Sequence, residues 1–417
     1  MAELEMVLAS LWLEFRARSK TLHRNINKLL STRVPRKLLY LVTGVFCILL
    51  FAVVGTDVRE EQELEFSGTG QLYARPPVRS WWSVDGRTCD CTCIPPTIGV
   101  PGEQPPTDGP VLTRDYYEPG FKIPSGYLCA DGGDGVQLVM MVQSRPSKAA
   151  VRRTLRRTWA RPGIQRTDVV LAFLVARTND SAVQESIEKE ADIFGDIVQA
   201  NFVDHYNNLT LKSLATLEWV DTFCPKAKFV LKADDDLFIN FNNLMQFIEY
   251  HQDKRNIIYG NLVSSPKPER DPKSVFYVSE AIWDQPMFPR YMGGPMYLIS
   301  TDAVCGIFQH LMKRPYLFIE DVAVTGIGAQ GAGVGRRRAP EIYTYPVPSN
   351  NTCLFRALLG AHQIPTDDLV DIWRRVHDPD IACRKYSPTL WDHCIDVAEQ
   401  APLQDCIMAL NTTAESA

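Results

Sequence analysis

The chain has 417 residues, 45% of them hydrophobic, which is enough for one large enzyme domain with accessory segments or for two modest domains. Its formal charge of −5 gives no sign of a nucleic-acid partner. The basic residues are unevenly spread. Arg16, Arg18, Lys20, Arg24, Lys28, Arg33, Arg36 and Lys37 precede residue 38, opposed there only by Glu3, Glu5 and Glu14.

Leu38 to Val54 follows, with no ionisable side chain except the phenol of Tyr40, and then Asp57, Glu60, Glu61, Glu63 and Glu65. An uncharged run of about 17 residues is at the short end of what spans a bilayer as a helix. Cationic flanks stay in the cytosol, so the reading is a single-pass type II anchor. Residues 1–37 form a cytosolic basic tail, 38–54 the transmembrane helix, and the rest is luminal. So short a span suits the thinner membranes of the early secretory pathway. A cleaved signal peptide would carry a shorter apolar region closer to the start, and a buried core helix would leave the charge asymmetry unexplained.

Beyond Cys47 lie ten cysteines, an even number that suits a disulfide framework in an oxidising lumen. Cys89, Cys91 and Cys93 are spaced too closely for a structural zinc site, so disulfides are the better reading for them. Sequons at Asn179, Asn208, Asn350 and Asn411 support the same orientation as N-glycosylation sites.

Residues 55–135 are rich in Pro, Gly and Cys and read as a luminal stem. Ordered patterning starts at Gln137, so the catalytic domain is expected over 136–380, with a Cys-containing extension over 381–417. Leu138 to Val142 predicts a buried strand, Arg152 to Trp159 a basic helix, and Val169 to Val175 a second strand. A charged helix is expected around Glu185 to Ala191. Leu211, Ala215, Trp219 and Phe223 recur every four residues and predict an amphipathic helix. Phe229 to Leu231 is a strand, and Leu244, Phe247 and Ile248 mark another helix. Strands alternating with helices imply an α/β domain with a mostly parallel central sheet.

Asp234, Asp235 and Asp236 follow that last strand directly, where open α/β sheets bind ligands. Three adjacent carboxylates repel one another, and a divalent cation would offset this. Hard oxygen ligands suit Mg²⁺ or Mn²⁺, which can bridge a substrate's phosphates. The plain alternative is a solvated turn; the spaced acidic pattern and final Glu of an EF-hand calcium loop are missing. Glu320 and Asp321 end a second apolar run, Tyr316 to Ile319. One acidic group holding metal and another acting as base is a workable plan for group transfer to a hydroxyl, although an N-cap explains the pair equally well.

From about Gln137 to His377 the chain resembles the β1,3-glycosyltransferases: β1,3-galactosyltransferases, β1,3-N-acetylglucosaminyltransferases, Brainiac-like enzymes and, more distantly, Fringe. Arg153, Arg156, Thr158 and Trp159 match R-x-I-R-x-T-W, and Phe173 opens a stretch like F-L-L-G. Asp196 to Gln199 is similar to D-I-I-Q, and Phe202 to Lys212 to the D-F-x-D-x-Y-x-N-L-T-x-K-T block. Lys232 to Asn240 resembles K-x-D-D-D-x-F-V-N, and Tyr291 to Ser300 resembles Y-x-x-G-x-G-Y-V-x-S. Glu320 to Val322 is the E-D-V motif, and His362, Pro365, Leu369 and Trp373 fit H-x-x-x-P-x-x-L-x-x-x-W.

The resemblance implies a GT-A fold and an inverting transfer of a hexose or N-acetylhexosamine from a UDP-sugar to the 3-hydroxyl of a glycan, with UDP-galactose favoured. It implies Mn²⁺, with Mg²⁺ as the alternative, and a Golgi membrane location. By position, Asp236, Asp234 and His362 would hold the metal and Asp321 would be the general base, with Glu320 beside it. Arg153, Arg156, Lys232, Asp234 and Asp235 would face the nucleotide sugar, and Tyr291, Gly294 and Tyr297 the acceptor. Four departures stand out: Ala323 where Tyr is frequent, an extra residue before Gly326, Pro295 between the glycines and Tyr297, and Ala160 after Trp159. These changes lie near the expected acceptor side, so they bear on acceptor identity more than on reaction class. An inactive luminal sugar-binding or partner-stabilising protein on the same fold is the competing reading, and a metal-dependent phosphohydrolase is a third. Donor and acceptor identity stay open.

Overall fold

The computed structural model describes residues 111–383, Ser265 excepted. The anchor, the tail before it, the stem up to residue 110, Cys394, Cys406 and Asn411 lie outside the described residues. Among the described residues, no helix is long and apolar enough to cross a membrane.

In chain order the main elements are β1 (Phe121–Ile123), β2 (Leu138–Gln143), α1 (Ala149–Arg157), β3 (Val169–Arg177), α2 (Ser181–Phe194), β4 (Ile197–Val203) and α3 (Leu209–Phe223). They continue as β5 (Phe229–Asp234), β6 (Phe238–Ile239), α4 (Phe241–His251), β7 (Ile257–Val263), β8 (Tyr291–Ser300) and α5 (Val304–Met312). β9 (Gly335–Arg338), β10 (Ile342–Pro346), β11 (Gly360–His362) and α6 (Thr366–Val376) complete the set.

Eight strands form one sheet in the order β1-β4-β3-β2-β5-β8-β7-β9. Its centre, β4-β3-β2-β5, is parallel, whereas β8 runs antiparallel to β5 and β7, and β1 antiparallel to β4. All six residues of β2 are buried because both faces of the sheet are covered. Successive residues alternate between two cores. Val139 and Met141 pack with Leu211, Leu214 and Trp219 on one face. Leu138, Met140 and Val142 pack with Leu155, Trp159, Leu244 and Ile248 on the other.

α3 departs from its amphipathic pattern. Every residue from Thr210 to Leu217 is buried, including Lys212 and Ser213. A helix enclosed on all sides must satisfy its polar side chains inside the protein, and these two do so at the site described below.

Register brings the functional edge together. Gln143 pairs with Asp234, so β2 and β5 end at the same level, and the antiparallel pairing of β8 with β5 begins there, with Met296 opposite Ala233. A second, three-stranded sheet, β10-β11-β6, lies beyond β5. Phe238 pairs with Ala361 in it, and the Ile364 amide donates to the Asp236 carbonyl at 2.9 Å. This pairing places His362 beside the acidic triplet, 126 residues away in sequence.

Residues 111–135, assigned by composition to the stem, are part of the folded unit. β1 extends the sheet, Cys129 is bonded to Cys224, and the Trp219 indole N–H donates to the Pro124 carbonyl at 2.7 Å. The partners of this segment lie about 100 residues on, so local composition carried no sign of them. A second disulfide joins Cys353 to Cys383.

Candidate active site

The acidic triplet divides in two. Asp235 is turned inward, 5% exposed, and accepts from the Ser144 hydroxyl at 2.8 Å and the Lys148 ammonium at 2.7 Å. Asp234 and Asp236 turn the other way, towards His362. One donor atom from each of these three residues lies within 4.8 Å of the others, and His362 Nε2 is 3.4 Å from Asp236 Oδ2. Asp236 Oδ1 is buried without a hydrogen-bond partner. A buried carboxylate oxygen left unpaired beside two more donors fits a hard divalent cation.

The electrostatics agree with this division. Burial opposes ionisation of Asp236, but the adjacent imidazole of His362 brings its carboxyl below the usual range. Burial likewise disfavours the imidazolium, yet Asp236 and then Asp234 raise the His362 pKa above its ordinary value. Asp234 is pushed up by burial, partly offset by Lys232.

Lys232 separates this cluster from a second acidic group. Its ammonium lies 2.5 Å from Asp234 Oδ1, 2.7 Å from the Gly294 carbonyl and 3.9 Å from Glu320 Oε2. Burial works against its charge, but Asp234 and Glu320 more than compensate and raise its pKa. A buried cation thus sits between two carboxylate banks that would otherwise repel each other.

Glu320 is enclosed. Ser213 and Tyr297 donate their hydroxyls to Oε1 at 2.6 and 2.5 Å, and burial pushes the carboxyl up to about 6. Asp321 lines a cleft of about 420 Å³, which Glu320 lines too, along with Lys232, Asp234, Tyr291 and Gly294. Its Oδ1 accepts from the Val322 amide at 2.9 Å, and burial raises its pKa. A Cβ added at Gly294 would stand 3.5 Å from Asp321 Oδ2 and Glu320 Oε2, so glycine leaves the space before both carboxylates open. Burial, aided by the Asp321 charge, pushes the Tyr291 phenol up to about 12.

Other sequence-predicted residues fall elsewhere. Tyr297 is 1% exposed, with its hydroxyl on Glu320; it supports the site from behind rather than facing an acceptor. Arg153 is exposed on the outer face of α1. Arg156 is committed to Asp196 through two 2.7 Å contacts and to Glu190 at 2.8 Å, with its guanidinium over the rings of Phe173 and Phe194. It is a strut between α1 and α2, not a free cation for a nucleotide. Asn179 and Asn350 are exposed. Asn208 is half-buried, with its amide donating to the Val203 carbonyl at 2.9 Å.

Several functional residues were missed. Arg152, 0% exposed, holds Glu190 in a bidentate pair and donates to Ser144 Oγ and to the carbonyls of Arg145 and Pro146. It therefore fixes the turn whose Ser144 fastens Asp235. Lys212 reinforces the turn, bonding the Ser144 carbonyl at 3.0 Å and Asp204 at 2.5 Å. The spacing of Arg152 and Arg156 on the face of Leu155 and Trp159 was the available signal. Arg152→Met should cost about 3 kcal/mol, the lower end for a broken buried ion pair, because Glu190 loses its bidentate partner but keeps Arg156. Chemical denaturation measures it, and a change under 1 kcal/mol would assign Arg152 a negligible structural role.

Residues 150–340 match the family model described as Galactosyltransferase. The chain is 30% identical over 247 residues to human β-1,3-galactosyltransferase 5, covering 58% of this chain and 78% of that protein. It is 28% identical over 238 residues to mouse β-1,3-galactosyltransferase 1, covering 57% and 72%. Among solved structures, the bifunctional glycosyltransferase WbbM aligns at a TM-score of 0.33 and 9% identity over 58% of this chain and 50% of that one, too weakly to bear on the fold. The first of these relatives is matched over 78% of its length at 30% identity, and on that footing the chain belongs to the β1,3-galactosyltransferase family and is a glycosyltransferase.

Proposed function

We propose that the protein transfers galactose from UDP-galactose, with inversion, to the 3-hydroxyl of a glycan acceptor, on a GT-A fold. The observation that carries this reading is the placement of Asp321 in the cleft, separated by the buried ammonium of Lys232 from the Asp234, Asp236 and His362 cluster. Asp321 takes the proton of the attacking hydroxyl, a role that requires hydrogen-bond reach of the acceptor. Glu320 also lines the cleft, but its Oε1 is taken up by the hydroxyls of Ser213 and Tyr297, and it backs Asp321. Asp234, Asp236 and His362 would hold Mn²⁺, with Mg²⁺ as the alternative. When bound, the cation would supply Lewis-acid stabilisation of the departing diphosphate. Asp235 fixes the turn that aims the other two carboxylates.

The reading extends to location. The disulfides Cys129–Cys224 and Cys353–Cys383 favour an oxidising lumen. With the charge asymmetry around residues 38–54, this supports a type II Golgi membrane protein whose catalytic domain, 136–380 extended upstream to about 111, is luminal.

The test is a donor screen with UDP-galactose, UDP-N-acetylglucosamine and UDP-N-acetylgalactosamine, Mn²⁺ and an acceptor panel, with linkage analysis of the product. A β1,3-galactoside is the expected product. Preference for another donor would overturn the galactose assignment. UDP-sugar consumption without a glycoside would instead indicate hydrolysis, and failure to bind UDP with Mn²⁺ would overturn the catalytic reading.

A further inference from the structure

The segment after Asp321 is not an ordinary helix. Val322–Gly328 is a π-helix, and all seven of its residues are buried. A π-helix closes each hydrogen bond one residue later than an α-helix, so it absorbs an extra residue without displacing what lies on either side. Within this segment Thr325 directly precedes Gly326.

Thr325 is 0% exposed, and its hydroxyl has two partners in different elements. It donates to the Asp321 carbonyl at 2.6 Å and accepts from the Met292 amide of β8 at 2.8 Å. The next residue presses on the same strand: a Cβ at Gly326 would stand 3.2 Å from the Cβ of Tyr291. One side chain thus clasps the backbone of the cleft carboxylate to the strand that supplies Tyr291 and Gly294.

We propose that Thr325 is a positioning residue for the transfer reaction, setting the distance between Asp321 and the acceptor wall begun by Tyr291. This rests on the reading of Asp321 as the base. Without the hydroxyl, the Asp321 main chain and β8 lose their common tie, and the base drifts relative to the acceptor hydroxyl. The Asp234, Asp236 and His362 cluster hangs on β5 and on the small sheet, so donor binding is untouched.

The experiment compares Thr325→Val and Thr325→Ser in the full-length protein, alone and combined with Asp321→Asn. Thr325→Val should lower kcat for transfer about tenfold to a hundredfold, since small misplacements of reacting groups carry such losses. The donor KM and the affinity for UDP with Mn²⁺ should stay unchanged. Thr325→Ser, which keeps the hydroxyl, should restore the rate, and Thr325→Val should add no loss in the Asp321→Asn background.

A Thr325→Val kcat equal to wild type overturns the proposal while Asp321→Asn remains crippled. Equal losses in the Val and Ser variants also overturn it, as does a parallel fall in UDP affinity and thermal stability, which marks a purely structural role. Normal turnover by Asp321→Asn overturns the base assignment itself, and the two failures are therefore distinguishable.

Discussion

Asp321→Asn should lower kcat about a thousandfold while leaving the affinity for UDP and Mn²⁺ near that of the wild type, because a positioned general base contributes roughly 10²–10⁴ in rate. The amide keeps the shape of the side chain and can still accept the Val322 N–H, so the opening of the π-helix is preserved. What it loses is the ability to take a proton. The pH profile of the wild type supplies a companion measurement. Burial raises the Asp321 pKa, and the base works only when ionised. Activity should therefore fall with decreasing pH through a limb lying above the ordinary value for an aspartate. Retained turnover in Asp321→Asn, or an acid limb at an unshifted carboxylate pKa, would remove Asp321 from the role.

Lys232→Met is expected to be nearly as damaging, for a different reason. The ammonium neutralises Asp234 on one side and Glu320 on the other, and it also holds the Gly294 carbonyl. Removing it leaves two carboxylate banks facing each other across a cavity with no charge to offset them. Loss of one partner from a buried ion pair costs about 3–5 kcal/mol, and the half-exposed flank of Asp234 places this case near the lower end. Activity should fall at least a hundredfold, on the scale of losing a preorganised electrostatic group at an active site. Because Lys232 also helps hold the Asp321 pKa down, the acid limb of the residual activity should move to higher pH. A Lys232→Met protein with wild-type melting temperature and an unmoved limb would show that the ammonium bridges nothing.

The readable parts of this fold were those whose environment is uniform along the chain. β2, β3 and the start of β5 are buried on both faces, so they appear as unbroken apolar runs. β8 is equally central in its second half, but Gly293, Gly294 and Pro295 interrupt its first half, where the backbone must leave room for the carboxylates. α3 looked amphipathic because Leu211, Ala215, Trp219 and Phe223 recur every four residues, and that periodicity treats the polar residues between them, Lys212 and Ser213 included, as solvent-facing whether or not a buried partner awaits them.

The site was legible in composition before it was legible in roles. The acidic triplet marked the right place, yet a turn sends neighbouring side chains in opposite directions, so Asp235 became an anchor while Asp234 and Asp236 faced His362. His362 carried no local signal, since only the pairing of β11 with β6 brings it near; the family resemblance located it. Among the arginines of α1, helical rotation decides that Arg152 and Arg156 point inward and Arg153 outward, whereas the carry-over by motif position had set Arg153 and Arg156 towards the nucleotide.

The joining of residues 111–135 to the sheet bears on where the enzyme can be cut. A fragment starting at Val136, where the apolar patterning begins, would strip β1 from β4 and leave the outer edge of that strand open as a template for another copy. Cys224 would become a lone thiol, able to cross-link one copy to the next, and the Trp219 indole and the Glu218 carboxylate would lose their partners at Pro124, Tyr117 and Gly120. The folded unit therefore begins no later than Tyr117, inside the stretch that composition assigned to the stem.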